Sequence, residues 1–589
     1  MSFCRRSYYD HGVNSCSLSS WAPRWLLAGL LALSCSEQGA TPPAGGGSED
    51  SGEADSGTAL DAGRGDGATD DGASGTPDVS SDGPGSSADV TADVERDVSR
   101  GDISMPTDAG AADSGVARDT SIVDAPTIPD GDAAPRDPFA PQPDTSEGLT
   151  NVSADLDALL ERGALPGACA AWKSDPTNRR LKLLCGKWMF FYEGFGTIGF
   201  PKALMTWLMN SFPVEVGPGF EKLGLFLDPS SADKLPLGFA TGKPYGPTNV
   251  ETEAFTCASC HLARLPDGRY AVGAPNYQFR YGAINLMVAL LPTLGLPGAD
   301  AGAHDPAAIA VIQPQLDRMA QDPAIGLALL GAVIPLIGAT PPTFTAANEH
   351  HYATWRDGTM DPFIQPLPLD DGAHTISKIG MIWGIPSAAE RAQEGLSSVM
   401  VSWTGGTISL YNFARGFVAL GGGERTAWTD ARLEPFIEYL ESLRAPVNGT
   451  PPPPASIARG GELFAARGCI GCHDGPRGSG RILYDYADIG TDDALKRFAD
   501  PNLTGQPCCG IQFEPGDRVT HQIKSPRLVG LWSMQRFLHN GSLDSLEQLL
   551  CLDARPNATE IAYGSQGHTY GCDAPEDDRR AIVDYLRAH

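Results

Sequence analysis

Cys257-Ala258-Ser259-Cys260-His261 and Cys469-Ile470-Gly471-Cys472-His473 are two copies of one string, Cys-x-x-Cys-His. Two thiols at this spacing can add to the two vinyl groups of one porphyrin, and the imidazole that follows can reach the iron as proximal ligand; the string is the attachment signature of c-type haem. At this chain's Cys and His content one such string arises by chance in only about 0.5% of sequences of this length, and two far more rarely. Zinc half-sites and thioredoxin-like dithiols also use Cys-x-x-Cys, but here each motif carries its own His and neither joins a second Cys-x-x-Cys. The expected cofactors are two covalently bound c-type haems, attached through Cys257, Cys260, Cys469 and Cys472, with His261 and His473 on the irons.

Outward from the motifs, composition divides the 589 residues sharply. Residues 36–147 are mostly Ala, Gly, Ser, Thr, Pro and Asp, with no Lys and Phe139 as their one aromatic. They hold 25 acidic residues and five Arg, so about 20 of the chain's 29 net negative charges lie there. Such a stretch buries too little apolar surface to offset its chain entropy and is expected to be a disordered, self-repelling tether. The charge balance argues against nucleic acid as a partner.

Ahead of the tether, residues 1–35 read as an export signal. Arg24 precedes the apolar run Trp25-Leu26-Leu27-Ala28-Gly29-Leu30-Leu31-Ala32-Leu33, which is too short to span a bilayer and of ordinary length for a signal core. Ser34-Cys35 follows and resembles a bacterial lipoprotein signal, with Cys35 carrying lipid that anchors the protein to a membrane; ordinary cleavage upstream of an incidental Cys is the alternative. The expected location is the bacterial periplasm or outer surface. Cysteine usage agrees. Once Cys4, Cys16, Cys35 and the four haem cysteines are set aside, six of 13 Cys remain, and an oxidising compartment permits them to pair. Proximity suggests Cys169 with Cys185 and Cys551 with Cys572, leaving the adjacent Cys508 and Cys509 as a vicinal pair or as a sign of a different connectivity.

The folded part divides at residues 445–454, where Val447-Asn448-Gly449-Thr450 and four prolines read as a stiff linker. On either side lies one motif: an enlarged first cytochrome c-like haem domain over 150–445 and a second over 455–589. Helical spacing predicts a closing helix over Asp430–Leu443, another over Ile457–Arg467 leading into Cys469, and a last one over Asp578–Leu586. Strand signals are sparse, so the class is mainly α. Small cytochrome c domains cross an N-terminal helix with a C-terminal one, and Gly461, Phe464 and Tyr585 match that crossing. In the first domain Ala324–Ala339 is an apolar run broken by Gly326, Gly331, Pro335 and Gly338; it reads as a buried helix or helical pair, or as the wall of a channel to the first haem.

Ser525-Pro526-Arg527-Leu528-Val529-Gly530-Leu531-Trp532, Phe537-Leu538-His539-Asn540-Gly541-Ser542 and Leu546-Glu547 are similar to a block of the bacterial di-haem cytochrome c peroxidases. Gly567-His568-Thr569-Tyr570-Gly571 and the helix after it more closely resemble the larger relatives that include rubber oxygenase. The resemblance covers 455–589; in the first domain it rests on the motif and on Trp403-Thr404-Gly405, which looks like the element whose Trp lies between the haems in the peroxidases. A core Trp is the bland alternative for Trp403.

That resemblance implies roles. The peroxidases place a Met ligand where this chain has Asp553, so the relay Met is missing, and His568 is the best replacement as the second ligand of the His473 iron. Tyr570 and Met534 compete with it. His539 reads as a hydrogen-bonding neighbour of that haem or as loop packing. No obvious sixth ligand follows His261: His304, His350, His351 and His374 each read as surface or loop residues, with the His350-His351 pair the best of them. An open His261 iron would be the reactive one. Trp383, Trp403 and the apolar run would wall its pocket, and Glu424 falls one residue off the place where the peroxidases carry their catalytic carboxylate. The expected activity is reduction of hydrogen peroxide at the first haem with electrons relayed from a small donor protein through the second. A rubber-oxygenase-like enzyme using dioxygen on an apolar substrate, and a non-catalytic electron-transfer cytochrome, are the alternatives.

Overall fold

Two matching helix crossings organise the computed structural model. In the first, helix Arg179–Tyr192, capped by the Asn178 side chain, crosses helix Asp430–Ser442, capped by Thr429. A Cβ on Gly186 would fall 2.1 Å from the Pro435 carbonyl oxygen, so the two backbones can approach this closely only with glycine there. Phe190 then packs edge-on to Tyr439 at 5.9 Å. In the second, helix Pro454–Ala466 crosses helix Glu576–Ala588. A Cβ on Gly460 would lie 2.0 Å from the Ala581 oxygen, and Phe464 meets Tyr585 at 5.5 Å. Gly, then Phe four residues on, against a Tyr of the closing helix is thus used twice. The contact glycine of the second crossing is Gly460 rather than Gly461, where a Cβ would lie 3.1 Å from the Tyr585 ring.

The structure describes residues 139, 144–334, 346–360, 376–394, 402–496, 517, 520–557 and 564–589, apart from positions 229, 245, 247, 296, 297, 408, 480 and 481 within them. All lie in one of the chain's two units; the other is Pro23–Asp132. The expected export signal over 1–35, Cys35, most of the expected tether over 36–147, His374, Cys508 and Cys509 lie outside the described residues. The end of the expected tether is folded. Phe139 is buried and stacks on the ring of His589 at 4.3 Å, while Arg179 Nη1 donates to the Thr145 carbonyl at 3.0 Å.

Few and short strands accompany the helices. Thr252–Phe255 lies between Phe200–Pro201 and Phe239–Thr241, antiparallel to both, and Tyr270–Val272 lies between Val152–Ser153 and Leu262–Arg264 in the same way. These two sheets flank the first motif. Two ribbons complete the set, Thr359–Met360 with Ser377–Lys378 and Leu483–Asp485 with Gln522–Lys524. The first half is enlarged on both sides of its motif. Upstream lie helix Lys202–Ser211 and the first sheet; downstream lie helices Tyr281–Leu294, Pro306–Gln321, Pro323–Val333 and Ala346–Thr354. These helices share an apolar core with Phe200, Trp207 and Phe279.

The apolar run near Ala324 is not wholly buried as expected. Helix Pro323–Val333 turns Ile325, Leu329 and Ala332 inward and leaves Leu327 69% exposed, because one helix can offer the core only one face. Residues 335–345 lie outside the described residues. Among the described residues no helix is long and apolar enough to cross a membrane.

The two motif-bearing halves share a core around Trp383, which is fully buried. Its indole N–H donates to Val272 O at 2.7 Å, and Arg527 from the second half donates through Nε to Trp383 O at 2.9 Å. Gly530 adopts φ +65° with its missing Cβ 2.6 Å from the indole, a position closed to any side chain. The 445–454 segment is itself tied down: Trp532 Nε1 donates to Pro446 O, Arg269 Nη2 to Val447 O, and Asn448 Nδ2 to Arg587 O. Disulfides join Cys169 to Cys185 and Cys551 to Cys572, as proximity suggested.

Candidate haem-binding sites

The first motif folds as a single helical turn, Cys257–His261, between two strands. Thr256 starts it: its hydroxyl accepts from Ala258 N and donates to Phe191 O, tying the motif to the end of the first crossing helix. Ser259 is buried and donates to Thr256 O at 2.7 Å. Asn276 clasps the turn from the far side, donating through Nδ2 to Ser259 O at 3.1 Å and through its backbone to Cys260 O at 2.9 Å. Gly238 approaches so closely that a Cβ there would lie 2.3 Å from Ser259 N. Both thiols are free and partly buried.

The second motif follows its helix almost directly. His473 Nδ1 lies 2.7 Å from Gly478 O; a carbonyl can only accept, so Nδ1 carries the proton and Nε2 is left with its lone pair. The ring of His568 stands opposite, its centroid 6.5 Å from that of His473 and its plane inclined at 62°. His568 has φ +49°, an uncommon backbone for a non-glycine residue. Arg555 holds this bend. It donates to the carbonyls of Gln548, Leu549, Ser565, Gly567 and His568 at 2.7 to 3.2 Å, gathering one loop around one guanidinium. His568 N donates to Ile489 O at 2.9 Å, and Gly567 lies directly on Thr491.

The other sequence candidates take different positions. Met534 is buried and its sulfur accepts from Tyr277 OH at 2.9 Å. Tyr570 is 51% exposed and donates to Asp488 O. His539 is buried, with Nε2 3.1 Å from Asp492, a carboxylate that also accepts from Asn540 Nδ2. His304 pairs with Glu349 at 2.8 Å, His350 with Asp305 at 3.3 Å, and His351 packs on Trp355, so these three gather at the enlarged part's helices. Trp403 is partly buried; its carbonyl accepts from Lys524 N, and Lys378 Nζ sits 5.4 Å from its ring centre. Glu424 is exposed at the turn Arg425–Ala427, its carboxylate accepting from the Thr426 hydroxyl at 3.0 Å.

Burial sets the electrostatics. It pushes His261 and His473 down to about 4, against the adjoining Gly380 and Gly478 backbones, and lowers His568, so all three rings are neutral, the form that ligates a metal. It also raises the Cys257 thiol to about 12 and the Cys260 thiol to about 11. The donor set fits haem on three observations. The four motif thiols are unpaired while four other cysteines are oxidised. The Nδ1 atoms of His261 and His568 are buried with no hydrogen-bond partner. Two imidazoles sharing one metal need centroids about 6.3 Å apart, from metal–nitrogen bonds of about 2 Å and about 1.1 Å within each ring, and His473 and His568 stand at 6.5 Å. No three His, Cys, Asp or Glu side chains come together as a metal-ion cluster among the described residues.

Sequence reasoning missed Lys378, Lys524, Arg555 and Asn276. The repeated Gly-x-x-x-Phe of the two crossings was a usable signal for the first domain's helices; none marked Arg555, whose partners are all backbone. No family model and no curated protein matches the chain. Among solved structures, hydrazine synthase of Kuenenia stuttgartiensis, pressurised with xenon, is similar at 17% identity and a TM-score of 0.25 over 41% of this chain and 79% of that one.

Proposed function

We propose that this chain is an exported di-haem c-type oxidoreductase that reduces hydrogen peroxide with electrons from a small donor protein. The observation that carries the reading is an asymmetry: the ring of His568 faces His473, whereas the described histidines 304, 350 and 351 are engaged elsewhere, and no second imidazole faces His261 among the described residues. When bound, the two haems supply one-electron chemistry at each iron, and a second axial ligand separates a relay iron from one open to small molecules. Cys469, Cys472 and His473 would hold the second haem, with His568 as the further candidate for its iron. Gly478 orients the His473 ring, and Arg555 holds the loop that carries His568. Cys257, Cys260 and His261 would hold the first.

The repeated helix crossing supports a cytochrome c-like plan in both halves, as Gly186, Phe190 and Tyr439 correspond to Gly460, Phe464 and Tyr585. Trp403 is the candidate link between the two sites, touching Lys378 and Lys524. Peroxide cleavage wants a carboxylate over the open face, and Glu424, on an exposed turn with Thr426 as partner, is a poor candidate for it. The aromatic core against Cys260, including Phe255, Phe279 and Tyr281, favours the second reading, an oxygenase acting on an apolar substrate.

Electron paramagnetic resonance and cyanide binding on the oxidised holoprotein test the proposal. One low-spin and one cyanide-accessible high-spin haem are expected; two low-spin haems that resist cyanide would leave a non-catalytic electron carrier. Peroxide turnover with a reduced donor, set against oxygen uptake on polyisoprene, separates the two enzymatic readings. Export and anchoring through Cys35 predict that Cys35→Ser releases the protein from membrane fractions.

A further inference from the structure

Lys378 and Lys524 occupy equivalent places in the two halves. Each is the last residue of a two-stranded ribbon, Ser377–Lys378 against Thr359–Met360 and Gln522–Lys524 against Leu483–Asp485. Each stands two residues before a backbone group that adjoins its own half's motif histidine, Gly380 beside His261 and Pro526 beside His473. Both meet Trp403. Lys378 lays its ammonium over the Trp403 ring at 5.4 Å and over Phe537 at 5.6 Å, while Lys524 donates its backbone N–H to Trp403 O at 2.9 Å.

Both ammonium groups are short of partners. Lys524 is 5% exposed and Lys378 partly buried. The described hydrogen bonds of each Nζ go to a single carbonyl, Arg536 O at 3.0 Å for Lys378 and Ser525 O at 3.2 Å for Lys524. An ammonium has three donors, so each retains two, and no described carboxylate reaches either one. Two other buried cations have a carboxylate, Arg477 pairing with Glu390 and Lys187 approaching Glu161 at 3.6 Å, while Arg527 spends its donors on the Trp383 and Met381 carbonyls. A buried unpaired cation is costly unless an anion completes it. Burial brings both lysines down to about 7, with the Arg527 guanidinium also lowering Lys524, and a carboxylate alongside would restore their charge.

We propose that Lys378 and Lys524 are carboxylate receptors, each binding a haem propionate of its own half, Lys378 at the His261 haem and Lys524 at the His473 haem. The inference rests on the di-haem reading. It adds what neither the motifs nor the axial ligands specify, namely the side chains of this chain that would receive the haem carboxylates. An ion-paired propionate also raises the potential of its iron, because an uncompensated carboxylate favours the ferric state.

The test is a redox titration of the full-length holoprotein and of Lys378→Met and Lys524→Met, with covalent haem first counted by mass spectrometry. With two haems attached, each substitution is expected to lower the reduction equilibrium constant of one haem about tenfold, about 59 mV for one electron: the His473 haem for K524M and the His261 haem for K378M. Two attached haems with both potentials unmoved, or both variants moving the same haem, would overturn the inference and leave the di-haem reading standing. Absence of covalent haem would overturn both. Should either variant fail to accumulate, resonance Raman on the unaltered holoprotein decides: bands of ionised, hydrogen-bonded propionates that hold from about pH 6 to about pH 8 are expected, and bands of free propionates overturn the proposal.

Discussion

The imidazoles of His473 and His568 lie with their centroids 6.5 Å apart and their planes inclined at 62°, brought together from the beginning and the end of the 455–589 segment. One comes from the motif and the other from a loop bent by Arg555, so the pair depends on the tertiary fold of the segment and on no local spacing.

Replacing His568 with Ala removes the second ring while leaving Cys469, Cys472 and His473 in place. The expected outcome is loss of one low-spin haem signal and gain of a high-spin one, with the mass of two covalent haems unchanged. An unaltered spectrum would mean that another residue holds that iron.

The Arg555 clamp supports the same site through five backbone carbonyls. Arg555→Met leaves those acceptors without their donor and frees the strained φ at His568 to relax. The low-spin signal is expected to become partial and temperature-dependent, and Arg555→Lys, with three donors in place of five, to recover only part of it. A full-strength signal in the Met variant would show that the loop holds itself.

The helix crossings predict a graded response to one methyl group. Gly460→Ala and Gly186→Ala set a Cβ against a backbone oxygen and are expected to cost about 1–3 kcal/mol in chemical unfolding. Gly461→Ala meets only the Tyr585 ring, which can yield, and is expected to change stability by less than about 1 kcal/mol. Equal effects at Gly460 and Gly461 would contradict the geometry of the crossing.

Cys551 and Cys572 bracket the loop that carries Arg555 and His568. Substituting both with Ser is expected to cost about 3 kcal/mol of stability through the loop closure lost, and to weaken the His568 signal more than substitution of the Cys169–Cys185 pair, which lies in the first half. Equal spectral effects from the two pairs would sever the link between this disulfide and the second site.

Lys187 is fully buried, donating to Thr150 O and Leu159 O, and burial lowers it to about 8. The unfolded chain, with an ordinary lysine at about 10.4, therefore binds more protons between these values, and stability should rise with pH across that window. Lys187→Met should remove this group's share, so that the urea-midpoint difference between native protein and variant widens in favour of the native protein from about pH 8 to about pH 10. A difference that stays level or narrows would show that Lys187 is not held with a lowered proton affinity.

Much of the second half was legible because its signals are local. The helix over Ile457–Arg467 is observed as Pro454–Ala466 and that over Asp578–Leu586 as Glu576–Ala588, since apolar periodicity reports a face that any core will bury. The closing helix of the first half was equally plain. The helix Pro323–Val333 was misread as buried because an all-apolar run does not say which side will be covered. The folding of Phe139 was hidden for the opposite reason: a single aromatic in a polar stretch packs on Phe464, Tyr585 and His589, residues far away in the chain.

By itself the sequence determined the two Cys-x-x-Cys-His strings and the mainly helical class and suggested the two disulfide pairs, all of which depend on residue type and short spacing. The tertiary structure alone decided that His568 turns its ring toward His473, that Trp383 seals the seam between the halves, and that Lys378 and Lys524 end equivalent ribbons on either side of Trp403. Those relations join residues far apart in the chain, and they exist only where close packing at Gly186, Gly460 and Gly530 lets the backbones meet.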